Sequence, residues 1–108
     1  MPKFLIEANY TSKGLRALAQ EKPSSRQAVL RETFASLGGR LEAIYYALGD
    51  RDVFVLCELP DHVSAAALSV AVSSTGLVRT KTIPLLTIEE ADRAVSTKTS
   101  YRAPGVKH

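Results

Sequence analysis

Two extended runs separated by only three residues sit in the middle of this chain, and they restrict its folds more than any other feature. Residues 40–48 carry Ile44, Tyr45 and Tyr46; residues 52–59 carry Val53, Phe54, Val55, Leu56 and Cys57. The join, Gly49-Asp50-Arg51, has the chemistry of a tight reversal, with Gly for unusual φ and Asp for local side-chain hydrogen bonds. Runs joined so closely pair as an antiparallel hairpin. A lone hairpin is marginal in water, so the rest of the chain must add strands and a cover.

The flanks supply both. In residues 3–10, Phe4, Ile6 and Ala8 point one way and Leu5, Glu7 and Asn9 the other, the period of two that a half-buried strand needs. Residues 77–86 read as a fourth strand, with Pro84 tolerable near its end or at a sheet edge. Between strand one and the hairpin, Thr11 and Ser12 offer N-cap hydroxyls, and Leu15, Leu18 and Ala19 follow at helical spacing. Pro23 interrupts, and the helix restarts at Ser24 with Gln27 completing a capping-box pattern. Leu30, Phe34 and Leu37 then mark one face before Gly38-Gly39 ends it. After the hairpin, Pro60-Asp61 stops the strand and caps a second helix, with Val63, Ala66, Ala67, Val70 and Ala71 as its packing face and Gly76 at its end. Thr87-x-x-Glu90 starts a short last helix running to residue 98. The order is β-α-β-β-α-β with a helical appendix. It predicts one ferredoxin-like α+β domain over residues 1–98, with a four-stranded antiparallel sheet, and a tail over 99–108.

Two helices cover only one face of four strands. On the strict alternation of each run, the other face carries Leu5, Glu7, Asn9, Glu42, Ile44, Tyr46, Phe54, Leu56, Glu58, Arg79, Lys81 and Ile83. So many apolar groups on one sheet face mark an interface. We therefore expect a homodimer, sheet against sheet, through Ile44, Tyr46, Phe54, Leu56, Arg79 and Lys81. Whether dimers assemble further through the last helix and tail is left open.

Composition removes several function classes. The chain carries a net charge of +3 and a pI near 9.2, but its basic residues alternate with acidic ones, and part of the excess sits at Lys98, Arg102 and Lys107. A nucleic-acid surface clusters its charge and interleaves exposed aromatics, so no nucleic-acid partner is expected. No apolar run approaches the roughly 20 residues of a membrane span. The single cysteine, Cys57, excludes an intramolecular disulfide and fits a reducing compartment; with no signal-peptide pattern in MPKFLIEANY, a cytoplasmic location is expected. The histidines, His62 and His108, make no ligand set with Cys, Asp or Glu, so neither metal nor cofactor is expected. Cys57 lies mid-strand among apolar neighbours, as a small hydrophobe. Tyr10, Tyr45 and Cys57 are placed together in the space between sheet and helices, as a candidate apolar pocket with phenol donors. Two functions follow. The first is binding of a small organic molecule without catalysis. The second is cofactor-independent oxygenation or isomerisation of an aromatic or polyketide-like substrate.

The run LGGRLEAIYYALGDRDVFVLCELPD, then GLVRTKTIPLLT, resembles the GYD domain family of small bacterial proteins, and the likeness extends to MPKFLIEANYTSKG and YRAPG at the ends. The resemblance implies a ferredoxin-like fold and a dimeric α/β barrel. It also implies kinship with cofactor-independent monooxygenases, haem-degrading enzymes and small-molecule binders, while the family carries no assigned reaction. Gly49 and Asp52 match the Gly-x-Tyr-Asp turn for which the family is named; Arg51 stands where the tyrosine is usual.

Overall fold

The hairpin forms and lies on one side of the central strand. The computed structural model describes residues 1–105, so Lys107 and His108 lie outside the described residues. Its elements are β1 (Lys3–Tyr10), α1 (Ser12–Glu21), α2 (Pro23–Ser36), β2 (Arg40–Tyr46), β3 (Val53–Glu58), α3 (His62–Ser73), β4 (Val78–Leu85) and α4 (Ile88–Ser96). The four strands make one open sheet in the order β2-β3-β1-β4, antiparallel throughout. This is the predicted α+β ferredoxin-like arrangement. Pro84 falls on the edge strand β4, where a missing N–H costs least.

Alternation in β1 and β3 decides where the core sits. Phe4, Ile6, Ala8, Val53, Val55 and Cys57 are buried on one face, against Phe34 of α2 and Ala65 and Leu68 of α3. Replacing Phe34 by Ala would empty the centre of this layer, a loss of about 3–5 kcal/mol. The hairpin strands are shorter than expected, because residues 47–52 form the connection, closed by the Ala47 N–H donating to the Asp52 carbonyl at 2.8 Å.

A β-bulge in β2 overturns part of the face assignment. Leu41 pairs with Cys57, but Ala43 pairs with Leu56, so Glu42 is an extra residue on β2. The phase shifts by one beyond it. Ile44 then pairs with Val55 and Tyr46 with Val53 on the helix side, while Tyr45 pairs with Phe54 on the open face. Ile44 and Tyr46 thus leave the expected interface, and Tyr45 leaves the expected pocket. A single inserted residue exchanges faces because side chains alternate with a period of two.

The long helical segment breaks in two, as the proline predicts, but by a different route. Lys22, at φ +72°, is the N-cap of α2 with no side-chain cap bond, and Pro23 takes the first helical position. The Ser24–Gln27 capping box does not form, since Pro at N1 already starts the helix. At its other end Gly38 takes φ +76° and closes α2. Thr11 caps α1 through the Gly14 N–H, and the Thr11 N–H donates to the Leu77 carbonyl at 2.9 Å. That carbonyl lies so near Gly14 that any Cβ there would collide with it, which holds α1 close against the start of β4.

The packing face of α3 also differs from expectation. Ala65, Leu68, Ser69 and Val72 turn inward, whereas Val63 and Val70 are 77% and 69% exposed. α4 forms with the expected capping box between Thr87 and Glu90, yet none of its residues is buried. The radius of gyration, 17.6 Å, exceeds the roughly 13 Å of a compact chain of this size, and the 62 Å long axis outruns the strands, because α4 and the tail project from the body.

Candidate functional site

Two adjoining hollows lie between the sheet and the helices. The inner one, about 90 Å³, is floored by Ile6, Ala8, Val53 and Val55, roofed by Leu30 and Phe34 of α2, and walled by Leu68 and Val72 of α3. The outer groove, about 380 Å³, runs under α1 past Gly14, Ala17 and Leu18. Tyr10, Arg26, Leu68, Val72 and Val78 border both, so the two hollows meet at these residues.

Polar groups are few. Ser69 of α3 and Thr80 of β4 place their hydroxyl oxygens 3.4 Å apart on the wall of the inner hollow, with Thr82 nearby. At the junction stand the Tyr10 phenol and the Arg26 guanidinium. Burial first, and then the neighbouring phenol of Tyr46, raise the Tyr10 phenol far above its ordinary range, so it keeps its proton at neutral pH. Arg26 Nη1 lies 3.5 Å from Glu21 Oε1, a long contact between partly exposed side chains across the α1–α2 break. This geometry can enclose an apolar body and donate hydrogen bonds at one end.

Of the family-motif residues, Asp52 supports this junction from outside through Tyr10. The Asp52 carboxylate accepts the Tyr10 backbone N–H at 2.9 Å, and the Asp52 N–H donates to Asn9 Oδ1 at 3.0 Å. Gly49 takes φ +141° in the connecting loop, a conformation rare for any other residue. Arg51, at the usual tyrosine position, donates from Nε to Glu7 Oε1 at 3.0 Å.

Of the three expected pocket residues, only Tyr10 borders the hollows. Tyr45 is 68% exposed on the opposite face. Cys57 is 1% exposed and pairs with Phe4, at the far end of β1 from Tyr10. Burial pushes its thiol up to about 12, which makes it a poor nucleophile at neutral pH. Arg26, Ser69, Thr80 and Thr82 were not foreseen. For the exposure of Tyr45 the sequence does hold a signal, the odd spacing of Leu41 and Ile44, which cannot share a face in an unbroken strand. His62 rests edge-on against the Phe4 ring, with centroids 6.0 Å apart. Among the described residues no group of His, Cys, Asp and Glu could hold a metal ion, and no helix is long and apolar enough to cross a membrane.

The open face carries Leu5, Phe54, Leu56 and Ile83 at its centre, with Ala43 and Tyr45 added by the bulge. Charges flank them. At one end Lys3 and Arg40 pair with Glu42 and Glu58, and the Arg40 hydrogen bond, chiefly, holds the Glu58 carboxyl below its usual range. At the other, Arg51, Arg79 and Lys81 surround Glu7.

Fold and cleft together define a small ferredoxin-like α+β protein with an apolar recess between sheet and helices. The chain belongs to the GYD domain family, whose model matches residues 4–95. No curated protein and no solved structure matches it significantly.

Proposed function

We propose that this protein binds a small organic molecule in the recess between sheet and helices, as a cytoplasmic homodimer. The observation that carries the reading is the junction of the apolar inner hollow with the outer groove at Tyr10 and Arg26. An apolar recess with a few convergent donors is the usual form of a ligand site. The assembly rests on the apolar centre of the open face, which a second copy would cover sheet on sheet, closing the α/β barrel that the resemblance implies. A single buried thiol suits a reducing compartment.

The test is a titration of the ¹⁵N-labelled protein with apolar compounds of graded length, followed by amide shifts. Perturbations should concentrate at Tyr10, Val72 and Val78. Val72→Phe, which fills the border of both hollows, should abolish them while the variant remains folded by circular dichroism. Shifts confined to the open face would overturn the reading.

A second reading, cofactor-independent oxygenation or isomerisation, is favoured by the Tyr10 phenol at the cavity border. A phenol that holds its proton so firmly acts as a hydrogen-bond donor to a developing oxyanion, not as a base. Oxygen uptake on adding polycyclic phenols, lost in Tyr10→Phe, tests the oxygenase form.

A further inference from the structure

The recess is asymmetric in charge, and the asymmetry bears on its ligand. Among the described residues lining the inner hollow, Arg26 alone is charged, and the remaining polar groups are Tyr10 and the Ser69, Thr80 and Thr82 hydroxyls. No carboxylate lines that hollow. The outer groove adds one acid, Glu21, which is also the partner of Arg26 at 3.5 Å. So loose an ion pair between half-exposed groups is weak and readily exchanged. The guanidinium presents five donors in a planar fork suited to a carboxylate, and the low-dielectric wall beside it strengthens that attraction. The phenol of Tyr10 borders the same space.

From this arrangement we infer that the ligand is an amphiphilic organic acid, its apolar body in the two adjoining hollows and its anionic head against Arg26 and Tyr10, which border both. The inference rests on the proposed binding function and names its ligand class. Glu21 acts as a competitor: it holds Arg26 in the empty site and is displaced when the acid binds. The inner hollow is smaller than a benzene-binding cavity of about 150 Å³, so it takes the end of a slender alkyl chain rather than a fused ring system, and the remainder of the chain lies in the outer groove.

The experiment compares octanoate, 1-octanol and octylamine, which share a chain and differ in head group, by calorimetry and amide shifts on the full chain. Octanoate should bind at least ten-fold more tightly than octanol, and octylamine more weakly than either. Arg26→Gln should reduce octanoate to the affinity of octanol without altering octanol itself. Glu21→Gln should tighten octanoate and leave octanol unchanged. If octanol and octanoate bind the recess equally, the acid is wrong and the binding function stands. Tighter binding of octylamine would reverse the charge assignment. If none of the three perturbs recess amides, both the ligand class and the binding function fail.

Discussion

The Asp52 carboxylate accepts the Tyr10 backbone N–H at 2.9 Å, so the loop of the β2–β3 hairpin completes the hydrogen bonding of the central strand where its pairing with β3 ends at Ala8. The same contact fixes the backbone that carries the phenol at the recess. The family-motif aspartate thereby acts through Tyr10.

Asp52→Ala should leave that half-buried N–H unpaired and cost about 1–3 kcal/mol. Asp52→Asn retains an acceptor and should lose clearly less. Urea unfolding measures both. Equal losses would mean that the Tyr10 contact contributes nothing.

The proposed homodimer predicts a solution mass twice the 11.7 kDa of the chain. Phe54→Asp places a charge at the centre of the apolar patch and should dissociate it. Tyr45→Asp should weaken it, whereas Tyr46→Phe, on the helix side, should leave it intact. Light scattering at micromolar concentration reads all three. A wild-type monomer, or a dimeric Phe54→Asp variant, refutes the interface.

Burial pushes the Cys57 thiol from its ordinary 9.0 up to about 12. Below pH 9 both folded and unfolded chains keep the proton, and the stability is intact. Between pH 9 and about 12 only the unfolded chain ionises there, so stability falls by up to about 1.4 kcal/mol per pH unit. The raised Tyr10 phenol acts in the same direction, starting from its ordinary 10.0. Cys57→Ala should lose roughly 1 kcal/mol at neutral pH and show a shallower alkaline decline. Urea midpoints between pH 8 and 10.5 test this; parallel slopes in the two proteins would exclude a role for the thiol.

Deleting Glu42 outright should preserve the fold. Leu41–Cys57 and Ala43–Leu56 become successive pairs of an unbroken ladder, and each downstream residue keeps its face. The loss should stay within about 1 kcal/mol, the worth of exposed ion pairs to Lys3 and Arg40. Deleting Ile44 instead removes a residue packed on the core and displaces its neighbours, at a cost of about 3 kcal/mol or more. Thermal unfolding separates the two cases.

The βαββαβ order was legible because β1 alternates with a period of two, the short Gly49-Asp50-Arg51 join marks the hairpin, and Pro23, Gly38 and Asp61 punctuate the helices where they should. Two faces were misread for physical reasons. α3 is apolar all round: Ala65, Leu68 and Val72 satisfy helical spacing as well as Val63, Ala67 and Val70 do, so periodicity could not choose between them. In β2 the extra residue changes phase without changing composition, and Tyr45 and Tyr46 exchanged roles with it. Arg26 escaped notice because a cation in the first turn of a helix looks solvated until α2 is laid over the sheet.

α4 has a complete capping box and no buried residue. A helix of nine residues without tertiary packing is marginal in water. Its amides should therefore exchange with deuterium through local opening, long before those of β1, which wait for the whole sheet to come apart. Slow exchange in α4 would report directly that another surface has come to lie against Ile88 and Val95. Protection of this one helix is thus a sensor for any partner that orders the end of the chain.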